Sequence, residues 1–96
     1  MKDPHQFSLG EAIQAFLEKH GIQEEAKVQE IIADWERLMG APIAANTDKI
    51  WFQQGTLYVR MKSPMWKNEL SLARSKIRLM LNQQMGQEIV KEVKIV

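Results

Sequence analysis

Arg60, Lys62, Lys67, Arg74, Lys76 and Arg78 set the chemical question for this 96-residue sequence. Between residues 55 and 85 these six cations face a single acid, Glu69. Guanidinium and ammonium groups gathered without carboxylates can bind a polyanion, and phosphate contacts of that kind support nonspecific association in the ~10⁻⁴–10⁻⁶ M range. Trp51, Tyr58 and Trp66 border or interrupt the same stretch. An exposed aromatic ring beside such cations can stack bases or receive a protein partner. The same cations could equally do no more than solubilise one side of a domain, and the charge pattern alone leaves both readings open.

Other chemistry is poorly provided for. The absence of cysteine excludes disulfides, thiolate nucleophiles and thiolate metal sites. His5 falls in an N-terminal tail and His20 at a helix end, neither beside a clustered acid or nucleophile. Ser8 and Ser63 are accounted for as helix caps. No phosphate loop, metal-ligand spacing or catalytic triad is present. No catalytic residue, metal site or cofactor is therefore expected, and the chain reads as a non-enzyme. The start, MKDPHQF, lacks the apolar run of a signal peptide, and no stretch of about 18 apolar residues occurs. A cytoplasmic protein without membrane contact is expected.

The whole chain carries 13 Lys and Arg against 12 Asp and Glu, a formal charge of +1. Nucleic-acid binders usually have a larger excess, so the polyanion reading requires the charges to be segregated. With 45% hydrophobic and 26% charged residues the composition is that of a folded domain. A chain of this size buries roughly 60–70% of its surface on folding. We expect residues 1–7 to form a tail and residues 8–96 a single domain.

The elements that must position the cations follow from periodicity. Ser8 with Glu11 three residues later forms a capping box, with Phe7 and Ala12 placed for a hydrophobic staple. Leu9, Ile13, Phe16 and Leu17 give the first helix an apolar stripe, and Gly21 is its expected C′ residue. A second helix is expected from about Gln23 to Met39, with Val28, Ile31, Ile32, Trp35, Leu38 and Met39 on one face. Gly40 ends it and Pro42 opposes a restart, leaving GAPIAANT as a connector. Strands are expected at about Lys49–Gln53 and Thr56–Lys62, joined by a Gln54-Gly55 turn. The second sends Leu57, Val59 and Met61 to one side and Tyr58, Arg60 and Lys62 to the other. Ser63-Pro64 opens a long helix that runs to about Met85, with Gly86 as its stop. The closing EIVKEVKIV reads as a strand.

The expected fold class is α+β: two N-terminal helices, a β-hairpin, a long helix and a C-terminal strand, with a three-stranded sheet covered by helices on one face. On the long helix, Trp66, Leu70, Ala73, Ile77, Met80 and Leu81 share one direction, and Met65, Leu72 and Leu79 extend that zone to one side. The remaining sector holds Lys67, Ser71, Arg74, Ser75, Arg78 and Asn82, so Lys67, Arg74 and Arg78 form a stripe of one sign. Trp35 and Trp66 are expected in the core. Trp51 either fills a second small core or shares an exposed sheet face with Tyr58 and Arg60.

DWERLMGAPIAANT, GTLYVRMKSPMWKNEL and LMLNQQMGQEIVKEVKIV resemble the DciA-like family. The shared pattern is a Trp, a Gly five residues on, a small apolar connector ending in Thr, then G-x-L-x-V, S-x-x-W-x-x-E-L, and L-N-x-x-x-G before a final strand. It falls on Trp35, Gly40, Ile43, Thr47, Gly55, Leu57, Val59, Ser63, Trp66, Glu69, Leu70, Leu81, Asn82 and Gly86, and the likeness covers about residues 8–96. The resemblance implies a K-homology-like fold and association with bacterial DNA replication, through loading or operating the replicative helicase and binding DNA. The glycines include no G-x-x-G, so the backbone clamp of K-homology domains is missing. Longer members carry a flexible basic extension, and without one the DNA affinity is expected to be weak or partner-dependent.

Two functions compete. In the first, Arg60, Lys62, Lys67, Arg74 and Arg78 contact the phosphates of single-stranded or nonspecific DNA without reading sequence. In the second, the chain is an adaptor that never touches nucleic acid. Met65, Leu72 and Leu79, or the face bearing Trp51 and Tyr58, then dock on a helicase subunit or on a second copy of the chain as a homo-oligomer.

Overall fold

A computed structural model describes residues 8–20 and 22–96. The expected tail, Phe7 of the proposed staple, His5 and Gly21 lie outside the described residues. Within them the order is α1 (Leu9–His20), α2 (Ile22–Ala33), α3 (Trp35–Met39), α4 (Ala41–Ala45), β1 (Thr47–Gln53), β2 (Thr56–Met61), α5 (Pro64–Leu72), α6 (Arg74–Met85) and β3 (Glu92–Ile95). The α+β class is as expected, with the helices packed against a three-stranded sheet of order β1-β2-β3.

The closing strand is confined to Glu92–Ile95 of the expected EIVKEVKIV, and three helical boundaries also differ, each for a local reason. The second expected helix bends at Asp34, a weak helix former, whose ψ of 12° separates α2 from α3. Helical bonding nevertheless spans the bend, from Asp34 N to Glu30 O and from Leu38 N to Asp34 O, both 3.0 Å. The connector after Gly40 is itself the short helix α4, because Pro42 lies in the first turn, where its missing N–H costs nothing. The long helix divides at Ala73, whose N–H reaches back three residues to Leu70 O at 3.0 Å and tightens the turn.

β1 and β2 form the expected antiparallel hairpin, pairing Ile50 with Val59, Trp51 with Tyr58 and Phe52 with Leu57. Gln54 and Gly55 take φ of 49° and 81°, the two positive values that a two-residue hairpin turn matched to strand twist requires. Gly55 also lies against β3: a Cβ there would stand 3.2 Å from Lys91 Cγ, and its carbonyl accepts from Lys91 N at 2.8 Å. β3 then runs parallel to β2, with Leu57 opposite Val93 and Val59 opposite Ile95.

Alternation along the strands sorts the sheet into two faces. Leu57, Val59, Met61, Val93 and Ile95 turn inward with Ile50 and Phe52, and there meet Leu70, Ile77, Leu81, Ile89 and Val90. Val28, Ile31 and Trp35 close the other side of this core. Leu57, Val59 and Leu81 are fully buried, and each contributes about 1.5–3 kcal/mol relative to exposure. Trp35 and Trp66 pack with the core as expected, the second only partly buried.

Candidate nucleic-acid interface

The outer face of the sheet is built from the other half of each strand. Register places Trp51, Tyr58 and Lys94 in one row across all three strands, and Lys49 beside Arg60 in the next. The Trp51 and Tyr58 rings stack across the hairpin with centroids 5.1 Å apart and planes only 6° from parallel. Cations flank them. Arg60 Cζ lies 5.2 Å and Lys49 Nζ 5.4 Å from the Trp51 ring centre, and Lys94 Nζ lies 5.9 Å from that of Tyr58. Both rings are half-buried by one another and by these side chains. The result is an aromatic strip held between positive charges, not the second small core that was the alternative for Trp51.

Two acids temper this surface. Asp48, extruded by the irregularity between Thr47 and Lys49, approaches Arg60 at 3.7 Å. Both side chains are about half exposed, at 52% and 50%, so the pair restrains Arg60 weakly. Glu92 stands beside Thr56 at the far end of the face.

The sequence-predicted cations are distributed over the outer sheet face, α5 and α6. Arg60 lies on the outer sheet face, and Lys62, exposed one residue beyond β2, continues that alternation. Lys67 is exposed on α5, whereas Arg74 and Arg78 belong to α6 beyond the bend at Ala73. Arg74 and Arg78 instead line a shallow cleft of about 250 Å³ with Ser75, Lys91, Glu92 and Val93. Arg74 is held there by an Nε–H bond to Ser71 O of 2.9 Å.

Asn82, grouped by its helical angle with the cations, is a correction: it is buried. Its side-chain amide donates to Val90 O and accepts from Val90 N, both at 2.9 Å. Of the apolar candidates, Met65, Leu72 and Leu79 are 63%, 87% and 50% exposed. They are divided by the same bend, the first two on α5 and the third on α6. Lys49 and Lys94 were missed as contact residues, although the pairing of a two-residue turn would have placed Lys49 opposite Arg60.

The residues of the family pattern have structural duties. Trp35 Nε1–H donates to Thr47 Oγ1 at 3.1 Å, and that hydroxyl donates to Ile43 O at 2.8 Å. Ser63 Oγ accepts from Trp66 N at 3.3 Å and caps α5. Gly86 takes the left-handed conformation, φ 72°, that ends α6.

Comparison with known proteins agrees with that pattern. The family model described as "Dna[CI] antecedent, DciA" matches residues 8–95. A curated relative, a "UPF0232 protein" of Corynebacterium glutamicum (strain R), is 24% identical over 88 residues, 92% of this chain and 49% of the relative. The chain thus spans about half the length of that relative. No solved structure matches.

Proposed function

This chain belongs to the DciA family, and from that premise we propose that it is a non-catalytic module that holds single-stranded DNA on the outer face of its sheet. The family's association with the replicative helicase supports a replication-related role. The observation that carries the nucleic-acid reading is the stacked Trp51–Tyr58 pair set among Arg60, Lys49 and Lys94. Stacking platforms beside a cationic track suit single strands, because every base offers a π-face and every nucleotide a phosphate.

The geometry suggests an exchange. Arg60 and Lys49 already occupy positions over the Trp51 ring, where a cation gains about 0.5–1 kcal/mol at an exposed site. A base that takes such a position releases the cation toward the neighbouring phosphate. Lys62 and Lys94 extend the phosphate track at either side. Lys67, Arg74 and Arg78 add to the long-range attraction that speeds encounter. Measuring affinity for a dT oligonucleotide against salt tests the proposal. An affinity that does not change with salt would exclude phosphate contact.

Met65, Leu72 and Leu79 favour a second reading, in which the chain docks on a helicase or another copy of itself. Large apolar side chains left this exposed are candidates for a partner's contact. Capture of the helicase that persists in high salt and nuclease, and is lost in Leu72→Ser, would support it.

A further inference from the structure

The cleft between α6 and β3 has a different character from the outer sheet face. Arg74, Arg78 and Lys91 line it with Ser75, Glu92 and Val93, and no aromatic side chain is among them. Among the described residues it has no ring on which to stack a base. What it offers is three cations beside a strand that ends the sheet.

Among the described residues, no segment pairs with the side of that strand that faces away from β2. Val96 N donates to Val59 O and Val96 O accepts from Met61 N, so Val96 bonds toward β2. Backbone groups alternate in direction along a strand. Lys94 and Glu92 therefore also face β2, as the bond from Glu92 N to Gly55 O shows. The peptide groups of Val93 and Ile95 face the opposite way, toward the cleft that Val93 lines. A sheet edge of this kind pairs with an extended segment, the main chain giving affinity and alternate side chains giving specificity.

We propose that the α6–β3 cleft receives an extended acidic peptide segment of a partner protein. The segment pairs with β3 at Val93, and its helix-side carboxylates meet Arg74, Arg78 and Lys91. A guanidinium recognises a carboxylate through paired, charge-assisted bonds, and two arginines one turn apart on α6 match carboxylates on alternate residues of a strand. A second copy of β3 fits less well, because it would bring the two sets of Arg74, Arg78 and Lys91 together. The chain would then meet DNA and its protein partner on separate surfaces.

The test uses the isotopically labelled chain, titrated in low salt with a capped octapeptide of alternating Glu and Val, and separately with dT12. Shifts are expected at the Val93 and Ile95 amides and the Arg74 and Arg78 side chains with the peptide. An alternating Lys and Val octapeptide should leave them unmoved. Arg74→Gln with Arg78→Gln should weaken peptide binding at least tenfold and dT12 binding by a clearly smaller factor, since these two arginines add only to the long-range attraction of DNA. The milder Arg74→Ala should weaken the peptide more than dT12. Peptide shifts at Trp51 and Tyr58 in place of Val93, no peptide binding, or dT12 filling the cleft as readily as the sheet face would each overturn the assignment. Peptide entry with no dT12 binding anywhere would uphold it and count only against the DNA reading.

Discussion

Asn82 and Val90 exchange two hydrogen bonds of 2.9 Å across the turn between α6 and β3. The pairing replaces a missing secondary-structure bond for Val90 and fixes how the chain leaves the helix for the final strand. Asn82→Ala leaves a buried N–H and a buried C=O without that partner. We expect a loss of about 2–4 kcal/mol, seen as a lower urea midpoint with an unchanged slope.

This clamp also shows where sequence reasoning reached its limit. Helical angles grouped Asn82 with Arg74 and Arg78, because periodicity within one helix says nothing about a returning segment that needs a hydrogen-bond partner. The division at Ala73 was equally illegible, since alanine is the best of helix formers and nothing in its own chemistry marks a break there. By contrast Ser63-Pro64, Gly55, Gly86 and the alternation of Leu57, Val59 and Met61 carry their conformations in their own chemistry, and those features stand as expected. For the candidate site, the outward position of Tyr58 and Arg60 was readable from one strand. The contact of Trp51 with both needed the register between strands.

Trp35 and Thr47 allow a graded test of the core. Trp35→Phe keeps most of the packing but removes the indole donor, and should cost about 1 kcal/mol. Trp35→Ala should cost about 3–5 kcal/mol. Thermal melts distinguish the two, and DNA affinity should remain unchanged in Trp35→Phe at temperatures where it is folded.

Trp51→Ala and Tyr58→Ala should each weaken binding of a dT oligonucleotide by about 1–3 kcal/mol, the value of one base–aromatic stack. Circular dichroism should show the fold retained, because both rings lie on the outer face and outside the core cluster. Equal affinity in the Tyr58→Ala chain would remove that ring from the platform.

Phosphate contact by Lys49, Arg60, Lys62 and Lys94 sets the salt dependence. At about 0.7 per contact for a single strand, the slope of log K against log salt should be near −3. Arg60→Gln should bring it about 0.7 closer to zero, since the weak pairing with Asp48 leaves Arg60 available.

Leu72→Ser should leave stability within about ±0.5 kcal/mol, because the side chain is 87% exposed. Its DNA affinity should also match the parent, separating the apolar edge from the stacking face in one variant. Chemical denaturation and the dT titration measure the two.

A chemical-shift titration with dT12 tests the central claim most directly. The account predicts the largest movements at the Trp51 indole N–H and at the amides of Lys49, Tyr58, Arg60 and Lys94, all saturating together. Shifts confined to the helices, or an unperturbed Trp51 indole at saturating oligonucleotide, would contradict it.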